Sequence, residues 1–129
     1  MAKQHQDRST ILLVDDDPPM TEYLRTALEM SGYRVLVANG GADGVRCFNL
    51  HRHEIRMVLA DMIMPDMSGI DMVKTMRRQR PALQVLFISG IRDWLPEWAR
   101  YSCGLLTKPF TIPILIEAIE QRICLGSEE

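Results

Sequence analysis

The sequence predicts an α/β domain in which helices cover both faces of a parallel β-sheet. Short apolar runs alternate along the chain with stretches whose apolar residues recur at helical spacing, which is the pattern of such folds. A further observation is the length, because 129 residues are enough for one sizeable hydrophobic core but not for two. Binding sites in such sheets lie beyond the carboxyl ends of the strands, so the residues that follow each strand are the functional candidates.

The predicted strands are apolar runs that end abruptly at polar or turn-forming residues, as strands buried on both faces do. They are residues 11–14, 35–38, 57–60, 85–88 and 105–107. The first run gives way to three consecutive aspartates, and a glycine pair breaks the chain soon after the second. Asp61, Ser89 and Lys108 follow the other three runs directly.

The first and last predicted helices have clear ends and clear apolar faces. Pro18 and Pro19 suit the start of the first helix, and Gly32 suits its end. Its predicted buried face consists of Met20, Tyr23, Leu24, Ala27 and Leu28. Thr111 is the predicted cap of the last helix, and Gly126 is its predicted end. The apolar face of that helix consists of Ile112, Leu115, Ile116, Ile119 and Ile123.

Three further helices are predicted between the inner strands. One covers residues 42–50, and the next is marked by Ile70, Val73 and Met76 and stops before Pro81. The third lies within residues 93–102, where a proline makes a short helix the expectation. The sequence therefore alternates strand and helix throughout, and the crossovers should be right-handed.

Charge and composition narrow the classes of function. The formal net charge of −2 argues against direct binding to nucleic acid or to a membrane surface. No apolar run approaches the roughly 20 residues of a membrane span. The three cysteines, an odd number without framework spacing, indicate a reducing cytoplasm and small buried side chains. We expect a flexible segment at residues 1–9, the domain at 10–125 and a tail at 126–129.

Polar groups follow four of the five predicted strands and should meet at one edge of the sheet. They are Asp15, Asp16, Asp17, Asp61, Ser89 and Lys108. Strands lie about 4.8 Å apart, so aspartates that end neighbouring strands crowd together and repel. A hard divalent cation such as Mg²⁺, or Mn²⁺ in its place, relieves this and leaves room for phosphate oxygens. A lysine and a serine hydroxyl can bind the same oxygens.

Four segments, ILLVDDDPP, VLADMIMPDMSGID, VLFISG and LLTKPF, resemble the receiver domain of bacterial two-component response regulators. The resemblance runs from about Thr10 to Cys124. It implies a flavodoxin-like, CheY-like fold with strand order 2-1-3-4-5. It also implies that a histidine kinase or a histidine phosphotransfer protein donates a phosphoryl group and that a downstream protein or output domain receives the signal.

The resemblance also assigns roles to individual residues. Asp61 resembles the phosphoacceptor, and Asp15 and Asp16 resemble the acidic pair that holds Mg²⁺ together with the backbone carbonyl of Ile63. Ser89 resembles the switch hydroxyl. Lys108 resembles the phosphate-binding lysine, and the Pro109 that follows it matches a proline that typically has a cis bond before it. Asp17 falls at a variable position and receives no role.

One departure from the family concerns output. Leu105 stands where the family often has tyrosine or phenylalanine, so the aromatic rotation that reports phosphorylation is not expected. The stretch between Ser89 and Lys108 is also shorter than usual. We therefore expect conformational change in residues 90–104, where Trp94 and Trp98 have the spacing of one helix face and either pack on the sheet or form a partner surface.

Two other classes of function share some of these residues. Haloacid-dehalogenase-type phosphatases use a D-x-D pair, which Asp15 and Asp17 offer, but Pro18 and Pro19 occupy positions where that family has a small residue and threonine or valine. A pseudo-receiver would be an interaction module that is never phosphorylated. The complete acidic set together with Lys108 favours a domain that modifies itself and is not a conventional turnover enzyme.

Overall fold

The computed structural model describes residues 9–90 and 95–127. Its strands are β1 (Thr10–Val14), β2 (Arg34–Ala38), β3 (Ile55–Asp61), β4 (Gln84–Ser89) and β5 (Gly104–Thr107). Its helices are α1 (Pro18–Met30), α2 (Gly41–His51), α3 (Gly69–Gln79), α4 (Glu97–Ser102) and α5 (Ile112–Ser127). All ten elements occur where the sequence predicts them, with differences of a few residues at their ends.

The five strands form one parallel sheet in the order β2-β1-β3-β4-β5. This confirms the predicted flavodoxin-like topology. The chain starts near the centre, moves outward to β2, and then returns past β1 to build the other half of the sheet. The direction of winding changes between β1 and β3, and the carboxyl ends of these two strands therefore flank a crevice in which such folds bind ligands.

Two hydrophobic cores, one on each face, hold the sheet between the helices. Alternate residues of β1 point to opposite faces, so Leu12 belongs to one core and Leu13 to the other. The first core includes Phe48 of α2 and Met72 of α3. The second includes Leu115 of α5 and apolar residues of α1. Every residue of β1 is buried, as expected for a central strand covered on both faces.

Helix α1 begins and ends at the predicted signals, but one residue of its predicted buried face is wrong. Pro18 opens the helix, and Gly32, at φ +100°, lies just beyond its end in the left-handed conformation that favours glycine. Tyr23 is 57% exposed. The buried stripe runs through Thr21, Leu24 and Leu28, because spacing alone does not show how wide the covered face is.

Helix α5 confirms the predicted cap and corrects the predicted end. The hydroxyl of Thr111 accepts a hydrogen bond from the Ile114 N–H at 3.3 Å. The helix continues through Gly126 to Ser127, so this glycine does not end it. A Cβ at Gly126 would lie 3.0 Å from the Gln84 side chain, and the glycine therefore allows close packing against β4.

Helix α4 has six residues, which confirms the prediction of a short fourth helix, and Pro96 occupies its cap position. Its end is tied to α3 by Arg77, whose guanidinium donates to the carbonyl of Leu83 at 2.7 Å and to the hydroxyl of Ser102 at 2.8 Å. Trp98 is 38% exposed. The predicted pairing of two tryptophans on one helix face lies outside the described residues, because residue 94 is not among them.

The cysteines only partly follow the prediction of small buried side chains. All three are free thiols, but Cys103 alone is buried, while Cys47 is half-buried and Cys124 is exposed. Within residues 9–90 and 95–127, no helix is long and apolar enough to cross a membrane. The flexible segment predicted for residues 1–9 lies outside the described part of the chain except for Ser9, whose carbonyl accepts the Arg34 N–H at 2.9 Å.

Candidate metal centre

Three carboxylates meet at the carboxyl edge of the sheet. Oxygens of Asp15, Asp16 and Asp61 lie within 4.8 Å of one another. The register explains the meeting, because Val14 at the end of β1 pairs with Ala60, so the next residues of the two segments, Asp15 and Asp61, lie side by side. The structure thus brings together the three carboxylates that the sequence predicts as metal ligands, whereas Asp17 is exposed and lies outside the cluster.

Asp15 is the most buried carboxylate of the cluster, with 4% of its surface exposed. One of its oxygens accepts the Asp17 N–H at 3.1 Å, which stabilises the ionised form. Burial nevertheless raises the pKa of Asp15 to about 6, and the negative charge of Asp61 acts in the same direction. The positive charge of Lys108 lowers it and is therefore close enough to be felt at this carboxyl group.

Asp61 is half-buried at the end of β3, and one of its oxygens accepts the Ile63 N–H at 3.2 Å. This contact folds the chain sharply after the strand, so the backbone at Ile63 stays beside the carboxylate. The Ile63 side chain is 66% exposed and does not anchor this turn. The assignment of its carbonyl as a metal ligand stays a prediction.

Ser89 is the last residue of β4 and Lys108 follows β5, on the side of β3 away from β1. The Lys108 N–H donates to the Ser89 carbonyl at 2.7 Å, which extends the pairing of these two strands beyond their ends. Ser89 is 1% exposed, whereas Lys108 is half-buried. The peptide bond between Lys108 and Pro109 is cis, as the resemblance implies.

The donor set fits a hard divalent cation. All three clustered side chains offer carboxylate oxygens, and no histidine or cysteine joins them among the described residues. Oxygen-only ligands of this kind suit Mg²⁺, or Mn²⁺, better than zinc or copper. The raised pKa of Asp15 reports chiefly the cost of burying an ionised carboxylate, with a smaller contribution from the negative charge of Asp61, and a dication would offset both.

The loop from 62 to 68 holds features that sequence reasoning missed. Asp66 reaches the start of α2 and accepts hydrogen bonds from the Gly41 and Ala42 N–H groups at 3.0 and 2.9 Å. Gly69 closes the loop, because its N–H donates to the Met62 carbonyl at 2.8 Å. A Cβ at Gly69 would lie 2.5 Å from the Asp61 carbonyl oxygen, so only glycine fits. The nearest signal in the sequence is the glycine pair at 40–41, which by itself indicates only the end of a strand.

Residues 11–120 match the family model of the response regulator receiver domain. The chain is 40% identical over 111 residues to the transcriptional regulatory protein CpxR of Escherichia coli K12, an alignment that covers 84% of this chain and 47% of CpxR. It is 32% identical over 116 residues to the response regulator receiver protein CpdR of Brucella abortus, covering 88% of this chain and 95% of CpdR.

The relatives differ in how much of their own length the alignment covers. The probable transcriptional regulatory protein TcrX of Mycobacterium tuberculosis is 30% identical over 106 residues, which cover 80% of this chain and 44% of TcrX. Matches to the transcriptional regulatory protein GlrR of Escherichia coli K12 cover only 26% of GlrR. The chain thus spans less than half the length of several relatives.

Solved structures give the same result as the sequences. A response regulator receiver domain protein from Clostridium thermocellum superposes with a TM-score of 0.84 at 28% identity, covering 92% of this chain and 97% of that one. The receiver domain of the hybrid histidine kinase CckA superposes with a TM-score of 0.77 at 27% identity, covering 89% of this chain and 99% of that one.

Proposed function

Because the chain belongs to the response regulator receiver domain family of two-component signalling, we propose that it carries a phosphoryl group on Asp61. The donor is a phosphorylated histidine of a histidine kinase or of a histidine phosphotransfer protein. The observation that carries the proposal is the cluster of Asp15, Asp16 and Asp61, whose oxygens lie within 4.8 Å of one another. The positive charge of Lys108 lowers the pKa of Asp15, which indicates that the lysine proposed to bind the phosphoryl oxygens lies at the same edge of the sheet.

The proposed transfer is a single displacement at phosphorus. A carboxylate oxygen of Asp61 attacks the phosphorus, the bond from phosphorus to the donor histidine nitrogen breaks, and that nitrogen later takes up a proton. Lys108 and the hydroxyl of Ser89 donate hydrogen bonds to the phosphoryl oxygens. The three clustered carboxylates and the backbone carbonyl of Ile63 would hold Mg²⁺ or Mn²⁺, which would supply positive charge to the crowded oxygens.

We propose that output passes through residues 90–104. Phosphorylation adds roughly −1.5 to −2 charges, and movement of the Ser89 hydroxyl toward them pulls the chain that follows β4. Leu105, at the start of β5, is half-buried and carries no phenol that could report this movement. Trp98 on α4 is partly exposed and is therefore available to a downstream partner.

The remaining expectations are proposals of the same kind. The chain acts on its own aspartate and does not turn over a separate substrate. It works in the cytoplasm, as its cysteine usage suggests. Residues 10–125 form the functional unit. Its output partner is a downstream protein or an output domain, and the chain itself binds neither nucleic acid nor a membrane.

Intact-mass measurement with a small phosphodonor tests the proposal. Incubation with acetyl phosphate and Mg²⁺ is expected to add one phosphate to the wild type and none to Asp61→Asn, because the amide is a poor nucleophile. The matched control is Asp17→Asn, an exposed neighbour of the cluster that should be modified as the wild type is. A phosphate adduct of undiminished yield on Asp61→Asn would refute the assignment. If neither the wild type nor Asp17→Asn gains mass, the alternative of an unphosphorylated interaction module gains support.

A further inference from the structure

The loop that leaves the candidate metal centre is fastened to a helix that contributes no carboxylate to the cluster. One oxygen of Asp66 accepts the N–H of Gly41 at 3.0 Å, and the other accepts the N–H of Ala42 at 2.9 Å. These are the first two residues of α2. The contact therefore joins the loop at 62–68, which begins one residue after Asp61, to a helix that packs over β1 and β2.

The chemistry of a helix start explains why a carboxylate lies there. The first N–H groups of a helix have no partner within it and carry partial positive charge, so they favour an anionic acceptor. No side chain of the helix's own cap position fulfils this need, because that position is Gly40. The hydrogen bonds from Ala42 and Gly41 hold the pKa of Asp66 below its usual range, so the carboxylate stays ionised.

The approach of the loop depends on the glycine pair. A Cβ at Gly40 would lie 3.2 Å from an oxygen of Asp66, and a Cβ at Gly41 would lie 2.8 Å from the Cβ of Met67. The second distance is shorter than side chains tolerate, so the loop reaches the helix only because residue 41 is glycine. The contact thus needs both the side chain of Asp66 and the glycine backbone at the start of α2.

Ile63 lies between two fixed points of this loop. Its N–H is held by Asp61 on one side at 3.2 Å, and Asp66 is held by α2 on the other. The exposed Ile63 side chain provides no packing of its own, although the flanking Met62 and Met64 are buried. The Ile63 backbone is therefore held by its neighbours, which are the buried Met62 and Met64 and, beyond them, the contact of Asp66 with α2.

We propose that Asp66 is a positioning residue for the metal centre. By fixing the loop to α2 it keeps the backbone of Ile63 beside the clustered carboxylates, and the affinity of the site for Mg²⁺ depends on it. This inference rests on the proposed function, since it takes the cluster to be a Mg²⁺ site. Coupling of two sites is reciprocal, so Mg²⁺ binding in turn strengthens the contact between Asp66 and α2.

Mg²⁺ titration by calorimetry on the full chain tests the proposal with four proteins. Asp66→Asn keeps the shape of the side chain but places an NH₂ group against one of the two N–H groups. Asp66→Glu keeps the charge but is one methylene too long for the same contact. Both are expected to weaken Mg²⁺ affinity by about 10-fold, the size typical of residues that orient metal ligands. Circular dichroism and thermal unfolding establish that each variant is folded.

Asp43→Ala is the matched control. Asp43 also lies in the first turn of α2, where it accepts the Asn39 N–H at 3.1 Å and pairs with Arg46, but it has no hydrogen bond to the loop at 62–68. This variant removes one negative charge and one acceptor from the same helix start. It is expected to change Mg²⁺ affinity by less than about 2-fold, because it leaves the loop in place.

Each other outcome overturns the proposal in a distinguishable way. Wild-type affinity in both Asp66 variants, or an equal loss in Asp43→Ala, removes the positioning role while the proposed function stands. A loss of Mg²⁺ affinity in Asp66→Asn with none in Asp66→Glu attributes the effect to the charge of residue 66 alone and overturns the positioning role. Absence of Mg²⁺ binding by the wild type overturns the proposed metal site and this inference together. If the Asp66 variants do not fold, amide exchange in the wild type decides, because unchanged exchange at Gly41 and Ala42 on adding Mg²⁺ contradicts the coupling.

Discussion

Replacing Asp15 with asparagine should stabilise the protein in the absence of metal while abolishing its response to Mg²⁺. Burial raises the pKa of Asp15 from 3.8 to about 6, so the folded state holds the proton more tightly than the unfolded chain does. The folded state is therefore destabilised as the pH rises from 3.8 to about 6. Above about pH 6 the full free-energy cost of ionising Asp15 in the folded protein is present. At about 1.4 kcal/mol for each pH unit, this cost is about 3 kcal/mol.

Asparagine is neutral at every pH and has a similar shape, so Asp15→Asn avoids this cost. Urea unfolding in EDTA should give a gain in the free energy of unfolding of up to about 3 kcal/mol at pH 8, shrinking toward zero near pH 4. Adding Mg²⁺ should raise the melting temperature of the wild type and leave that of the variant nearly unchanged.

Asp17→Asn provides the control, because Asp17 is exposed and lies outside the carboxylate cluster. Its stability should follow the wild-type pH profile, with the Mg²⁺ response preserved. A stability difference between Asp15→Asn and the wild type that does not change between pH 4 and pH 8 would contradict the reasoning. It would mean that ionisation of the buried Asp15 carboxyl does not destabilise the folded protein.

Three further predictions concern the rest of the site. Gly69→Ala should lower the free energy of unfolding by about 3 kcal/mol or more, because the new Cβ would lie 2.5 Å from the Asp61 carbonyl oxygen. The control is Gly90→Ala, whose Cβ would meet nothing within 4 Å and which should be nearly neutral; urea unfolding measures both. Lys108→Ala should slow phosphorylation by acetyl phosphate about 100-fold while leaving Mg²⁺ affinity within about 3-fold, and an equal loss of both would indicate a structural role. Beryllofluoride should change amide exchange mainly in residues 90–104, and a change confined to α5 would place output elsewhere.

The ends of the strands that carry the carboxylate cluster are marked locally in the sequence, and the family resemblance implied the strand order that makes β1 and β3 neighbours. An apolar run that stops at Asp15 or at Asp61 shows where a strand ends, and parallel strands bring their carboxyl ends to one edge. Helix faces were less certain. The spacing that places Tyr23 with Leu24 cannot show that α1 buries a narrow stripe and leaves the tyrosine 57% exposed. The prediction that Cys124 is buried was wrong for the same reason, because the burial of this residue depends on which side of α5 meets the sheet.

The contact of Asp66 with α2 shows why part of the site lay beyond sequence reasoning. Each half has a conventional local interpretation, because glycines at 40–41 end a strand and an aspartate after Pro65 suits a turn. The hydrogen-bonded residues lie 24 and 25 positions apart in the sequence, and the strand order alone does not show that the Asp66 side chain reaches the start of α2. Once the contact is known, the glycine pair has a second meaning. It clears the space that Asp66 and Met67 need, and the strand breaker and the turn former are two sides of one interaction.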